Sequence, residues 1–467
     1  MSLQNLLILS YYFPPQGGAG TQRFAKFAKY LPDYGYRPII LTADTSTTND
    51  SAPHQDQTLM EEVGSETVIR RVKEDPVVSL PLKRKLGLAL KFRIDAEEWV
   101  GCAMPIAGQL IKEFQPVALL TTVSPYAAVH LGRAISQRYD EIPWLLDLRD
   151  PWALDGWRVH HTPLHARTDR RLMQSALRDC DHIIANTPAS GLAYSDLSHL
   201  PDGRVSVIPN GFDPDDFEHP IAGSGVDDHF EMIHVGTLHA IEHESKSSIK
   251  QSLRTSLRQI NGLGRTAYYL LHALAKLKKT KPELYASFRL TLAGTVHPSN
   301  MELAERLGVL DPIRHVGYVS HRDALGMMQK ADTVFVPLHG LPAGDPSLIV
   351  PGKLYEALAS EQPVFACLPD GDAADLVRTA DAGVVCPPDD IESITNQLAE
   401  LLQKHRDGEQ LRGARRVDLG MFTRRVLTQD LATTVRSVCA GGSDEKPRLN
   451  AWQKLTQAMH TDRELPA

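Results

Sequence analysis

The 467-residue chain is 42% hydrophobic and 23% charged, with 32 Gly and 31 Pro. That is the mixture of a globular protein of two or three domains, not of a collagenous or low-complexity one. A net charge of −7 and a pI near 6.3 provide no global basic field, so no nucleic-acid partner is expected. Five scattered cysteines without CxxC spacing exclude a disulfide framework or zinc ribbon and suit a reducing compartment. No run of about 18 apolar residues occurs, so no bilayer-spanning helix is expected. The first apolar stretch, 6–9, lacks a basic leader and runs straight into Tyr-Tyr-Phe-Pro-Pro. It reads as a strand and not a signal peptide, and the expected location is the cytoplasm.

Short apolar runs alternate with segments of helical period. A strand over 6–12 precedes an amphipathic run over 21–31, with Phe24, Phe27, Ala28 and Leu31 on one face. Strands follow over 38–41, 117–121, 144–148, 182–185 and 205–208, mostly separated by helical stretches. The pattern restarts after Asn210-Gly211-Phe212-Asp213-Pro214 and a turn-rich stretch to Asp228. The second series comprises strands over 232–235, 290–293, 315–316, 333–336, 364–367 and 383–385, with helices over 266–278 and 391–404. Strands alternating with helices predict parallel sheets covered on both faces, hence two αβα sandwiches. We place an N-terminal domain over 1–218 and a second over 219–418. The remaining 419–467 reads as a terminal helix (417–439) and a polar, partly disordered tail. Residues 240–264, rich in Ser, Lys, Arg and Gln, read as an inserted lid or arm.

Several constellations could carry chemistry. Gly17-Gly18-Ala19-Gly20 lies between the first strand and its helix, where small residues let backbone N–H groups approach an anion or a sugar. It is neither GxGxxG nor a P-loop, and a plain flexible turn is the alternative. Asp147-Leu148-Arg149-Asp150-Pro151-Trp152 ends another strand; its charges could serve a ligand or form a salt-bridged turn. His130 follows Ser124-Pro125 as either a packing histidine or a catalyst. His239-Ala-Ile-Glu242-His243 matches H-x-x-E-H, but it sits in the irregular insert without an apolar helical face. We read it, with His160, His161 and His165, as non-ligating. In Pro351-Gly352-Lys353-Leu354-Tyr355-Glu356, Pro-Gly opens a helix whose free N–H groups suit a phosphate. Lys353 would neutralise that phosphate and Glu356, one turn on, would accept hydrogen bonds from ribose hydroxyls. A diphosphate needs a second cation, for which Arg265 is the candidate. The segment 83–93 carries Lys83, Arg84, Lys85, Lys91 and Arg93 among leucines and Phe92, with no acid. It could lie on an anionic membrane surface or pack its leucines as a solvated helix or loop.

These segments, with Ile208-Pro209-Asn210-Gly211-Phe212-Asp213, His234-Val235-Gly236-Thr237-Leu238 and the run from Pro351 to Pro363, resemble the family 4 (group 1) glycosyltransferases over about residues 4–440. The resemblance implies a GT-B fold, two Rossmann-like domains whose parallel sheets face a central cleft. It implies transfer from a nucleotide-diphosphate sugar to a glycan or lipid-linked acceptor, with retention and with no cofactor or bound metal. The branch it looks most like acts in bacterial cell-surface polysaccharide assembly, which would put the enzyme at the inner face of the cytoplasmic membrane. Glu356 matches the second glutamate of the family's E-x7-E motif, whereas the first falls at Leu348. Thr237 stands where many members have arginine, and Arg265 resembles a following basic residue displaced by the insert. Arg149 occupies a region where many members place a histidine near the reaction centre. The expected donor-binding set is Gly18, Gly20, Gly236, Thr237, Arg265, Lys353 and Glu356, with Arg149, Asp150 and His130 nearer the reacting sugar. Two other functions fit the same residues: a GT-B sugar-nucleotide epimerase using carboxylates such as Asp150 and Asp345, and a non-catalytic sugar-nucleotide binding protein.

Overall fold

The computed structural model describes residues 2–17, 19–44, 56–74, 97–160, 162–218, 229–241, 256, 258–441 and 449–463. Gly18, the basic segment 83–93 and the Glu242-His243 half of the H-x-x-E-H string lie outside the described residues. The chain divides into two compact units, one of Met1–Asn210 with Thr255–Leu257 and Arg424–Ala451, the other holding Gly211–Arg254, Arg258–Thr423 and Trp452–Ala467.

The first unit is built on β1 (Gln4–Leu9), β2 (Tyr36–Asp44), β3 (Val68–Lys73), β4 (Ala118–Thr122), β5 (Trp144–Leu148), β6 (His182–Ala185) and β7 (Val205–Val207). They form one sheet in the order β3-β2-β1-β4-β5-β6-β7, with each neighbouring pair parallel. β4, β5 and β6 are buried along their whole length, which is why they read as unbroken apolar runs. β3 is an edge strand with exposed Arg70, Arg71 and Lys73. Its apolar signal is too weak to find in sequence, and the reading above omits it. One face of the sheet packs Leu7, Leu9, Leu119 and Leu146 against Trp99, Leu131, Ile135, Met173 and Leu177.

The opposite face packs Leu6, Ile8, Leu120 and Ile184 against Phe24, Phe27, Leu427, Leu431 and Val435. The last three come from the helix Arg424–Cys439, so the far end of the chain completes the first unit's core. Each such aliphatic contributes about 1.5–3 kcal/mol when removed from water. That helix starts later than the sequence suggests, after the 3₁₀ turn Arg416–Phe422.

The second unit comprises β8 (Phe230–Val235), β9 (Phe288–Ala293), β10 (Ile313–Gly317), β11 (Thr333–Pro337), β12 (Val364–Cys367) and β13 (Gly383–Cys386). Their order is β10-β9-β8-β11-β12-β13, again parallel throughout. Within the polar tail the chain forms a helix, Ala451–Arg463. Trp452 anchors it edge-on to Phe422 at 5.4 Å and Tyr355 at 6.5 Å. Two apolar anchors, Trp452 and the buried Leu455, are too few to stand out in a polar stretch.

Each sheet reverses its strand order beside its first strand, at β1/β4 and at β8/β11. Ligands of doubly wound sheets bind outside the carboxyl ends of the strands at such a reversal.

Candidate functional site

At the β1/β4 reversal, the helix Ala19–Tyr30 begins within the Gly17–Gly20 segment, so Gly20 stands in its first turn. A Cβ on Gly20 would sit 1.5 Å from Nη1 of Arg149, so the absent side chain is the space that the guanidinium occupies. Two residues chosen separately from the sequence therefore meet. The Arg149 side chain is 14% exposed and that of Asp150 is 42% exposed, with Nε 3.5 Å from the Asp150 carboxylate. Arg149 Nε is buried without a hydrogen-bond acceptor among the described residues, and an unsatisfied charged donor here favours an incoming anion or hydroxyl. Asn186 fixes the backbone by donating from Nδ2 to the Arg149 carbonyl at 3.0 Å.

Asp147 behaves differently from its neighbours. It is 1% exposed and pairs with the fully buried Arg23 at 2.7 Å. Thr122 Oγ1 donates to its other oxygen at 2.8 Å, and the same guanidinium donates to the carbonyls of Pro209 and Ile208 at 2.6 and 2.9 Å. This network ties the helix after β1 to the ends of β4, β5 and β7. Asp147 is thus the sealed part of the motif, while the Arg149–Asp150 pair is partly exposed. His130 lies on the helix Ala127–Arg138. Burial, then Arg133, lowers its pKa, while Asp169 opposes them.

At the β8/β11 reversal, Gly236 follows β8 with φ of +126°, and a Cβ there would lie 3.3 Å from Lys353 Nζ. Glycine is required both by the backbone and by the approaching ammonium. Thr237 is exposed beside it. Lys353 and Glu356 stand on the first turns of the helix Gly352–Ala359, whose Pro351 N-cap leaves its opening N–H groups without a side-chain acceptor. Arg265 comes from the 3₁₀ turn Gly262–Arg265, at the close of the stretch read as an insert. That turn is held to the loop after β11 by the two-way Asn261–Gly340 backbone pair. Gly264 permits the approach, since a Cβ there would be 2.4 Å from the Leu338 carbonyl oxygen.

The structure thus brings Gly236, Arg265, Lys353 and Glu356 to one strand edge. Burial, then Arg265, lowers the Lys353 pKa to about 7, although Glu356 opposes the shift. Burial, then Arg265 and Lys353, lowers that of His239. His339 is pushed to about 3 by burial, then by Arg265 and Arg258. Burial is the larger cause in each case, and the neighbouring cations add to it.

The sequence reading gave no role to His234, His321 and His339. His234 and His339 are 0% and 3% exposed, so in sequence they look like core residues. Lys353 Nζ lies 3.4 Å from His234 Nε2, Arg265 Nε donates to His339 Nδ1 at 3.1 Å, and His321 Nε2 lies 2.8 Å from Glu356 Oε1. Leu348, in place of the motif's first glutamate, is partly buried next to Ser347, whose N–H donates to Asp370 O at 2.8 Å.

Residues 17–211 match the family described as Glycosyl transferase 4-like domain, and residues 264–404 match Glycosyl transferases group 1. The two halves of the chain thus carry the paired domains of the group 1 glycosyltransferases, and the protein is a glycosyltransferase enzyme. Its fold is GT-B, as the solved structures it resembles also show. Sucrose-phosphate synthase from Thermosynechococcus elongatus aligns at TM-score 0.57 and 14% identity, over 99% of this chain and 98% of that one. A glycosyltransferase from Rickettsia africae ESF-5 aligns at 0.55 and 14%, over 99% of both. WaaG, a glycosyltransferase involved in lipopolysaccharide biosynthesis, aligns at 0.53 and 15%, over 98% and 99%. A comparison with curated proteins finds no match. Among the described residues, no helix is long and apolar enough to cross a membrane.

Proposed function

We propose that the enzyme transfers a glycosyl group from a nucleotide-diphosphate sugar to a glycan or lipid-linked acceptor in cell-surface polysaccharide assembly, with retention and without a metal. The observation that carries this reading is the gathering of Arg265 and Lys353 with the opening of the helix Gly352–Ala359 at the β8/β11 reversal. When the glycosyl bond breaks, negative charge grows on the diphosphate and positive charge on the sugar. Fixed cations and free helical N–H groups lower the barrier because they are already oriented toward the growing charge. In this reading Arg265 and Lys353 hold the diphosphate, and Gly236 and Thr237 admit it along the backbone. Glu356 accepts from the ribose hydroxyls. In the first unit Gly18 and Gly20 would admit the ligand along the backbone, and Arg149 and Asp150, with His130, would serve the reacting sugar and the acceptor. Membrane contact by 83–93 on the cytoplasmic side would bring a lipid-linked acceptor within reach.

The test is a screen of nucleotide sugars that reads nucleotide release, with and without membrane extract as acceptor source. Release that depends on the extract supports transfer. Formation of an epimer from the donor alone would establish the epimerase instead, and donor binding with no turnover on any extract would leave a binding protein.

A further inference from the structure

Every charged side chain assigned to the donor site is held by a histidine, and the partner atoms fix how each ring is protonated. His234 Nδ1 is 3.0 Å from the Phe335 carbonyl, which can only accept, so Nδ1 carries the proton. Nε2 is then a lone pair, and it faces the Lys353 ammonium at 3.4 Å. His339 receives the Arg265 Nε–H on Nδ1 at 3.1 Å, so its proton resides on Nε2. His321 meets a carboxylate oxygen of Glu356 at 2.8 Å through Nε2, which must therefore donate. Two neutral rings accept from the two cations and a third donates to the carboxylate.

We propose that His234, His339 and His321 are positioning residues, a histidine layer that aims Lys353 and Arg265 at the diphosphate and Glu356 at the ribose of the donor. The proposal rests on the donor-site reading above. A long lysine or arginine loses rotamer freedom when it is held for a ligand, and an acceptor already built into the sheet removes that cost from binding. Neutral acceptors suit the task because they orient a cation without cancelling its charge, as a carboxylate would. Burial keeps the rings uncharged: the pKa of His234 is well below the ordinary histidine value, and that of His339 is near 3. His321 sits at the first turn of the helix His321–Lys330, and its pair with Glu356 is half-buried, at 14% and 15% exposure.

One substitution made at two positions separates this role from simple packing. Asparagine places its amide near the Nδ1 position of histidine. His339→Asn can therefore keep an acceptor for Arg265. His234→Asn keeps the donor to Phe335 but deprives Lys353 of its acceptor. Calorimetry of the full chain with UDP, GDP, ADP, CDP and dTDP identifies the nucleotide that binds, and inorganic pyrophosphate serves as a probe without ribose. We expect His234→Asn and His339→Leu to weaken both the nucleotide and pyrophosphate at least tenfold, and His339→Asn to remain within threefold of wild type. His321→Asn should weaken the nucleotide at least fivefold and leave pyrophosphate unchanged, with His321→Gln restoring affinity. Nitrogen-15 spectra of the wild-type rings should show Nδ1–H for His234 and Nε2–H for His339. Variants that all bind the nucleotide as wild type does, or reversed tautomers, overturn the histidine layer while the donor site stands. A wild-type chain that binds none of the five nucleotides overturns the donor-site reading and the proposal with it.

Discussion

Gly20→Ala should separate stability from activity in the first unit. Alanine is the better helix former, by up to about 1 kcal/mol within a helix and less at the first turn where residue 20 stands, so thermal stability should hold or rise slightly. The new Cβ, however, would begin 1.5 Å from Arg149 Nη1, whereas ordinary contact starts at 3.4 Å. The obstacle is the end of a flexible side chain, so the guanidinium retreats by about 2 Å and the backbone stays. For a unit charge moved from about 4 to about 6 Å from a developing charge, at an effective dielectric of about 20, the loss is about 1.4 kcal/mol, or tenfold in kcat/KM. Lost hydrogen bonds would add to this. The assay is nucleotide release with the donor and acceptor found in the screen, run beside thermal unfolding. Gly20→Ala/Arg149→Ala should be no slower than Arg149→Ala, because both changes act on one group. Activity of Gly20→Ala within twofold of wild type, with unfolding unchanged, would refute the role given to Arg149.

Removing Arg23 as Arg23→Met leaves the Asp147 carboxylate buried without its counter-ion; the first unit should lose about 3–5 kcal/mol in denaturant unfolding, and Arg23→Met/Asp147→Leu should regain most of it. Donor affinity should fall as pH rises above about 7, where the free enzyme's Lys353 loses its proton. The fall is at most tenfold per pH unit and ends at the higher pKa that the bound diphosphate imposes, and titration calorimetry of Lys353→Met should show no such slope. Prolonged EDTA treatment should leave turnover unchanged; a loss restored by manganese or zinc would mean that a metal, and not Lys353 and Arg265, handles the diphosphate.

How much of this could be read in the sequence follows from burial. β5, β6 and β12 begin and end where their apolar runs do, because those strands are covered on both faces. β3, with three basic residues among its six, and the helix Ala451–Arg463 leave little apolar trace and were missed. The Pro351–Gly352 start gave Lys353 and Glu356 because a helix opening is a local signal. His321 and His339 are 35 and 74 residues from the side chains they hold, and only the folded sheet brings them there. Asp147 and Arg149 share one short motif, yet one is sealed beneath the sheet edge and the other is partly exposed. Two residues apart on a continuing strand they would share a face, but β5 ends at Leu148 and the chain bends at Arg149, so their separation becomes evident only once the strand's end is known.

The helix Arg424–Cys439 makes the first unit a discontinuous stretch of chain. As the polypeptide leaves the ribosome, the apolar side formed by Leu6, Ile8, Phe24 and Phe27 must wait for Leu427, Leu431 and Val435. At ordinary synthesis rates the delay after Asn210 is roughly ten to fifty seconds. Throughout that interval the nascent unit presents an uncovered hydrophobic face, so it depends on chaperones or on rapid translation of the second half. A frameshift or stop codon shortly before residue 424 would therefore harm most the domain encoded farthest from it.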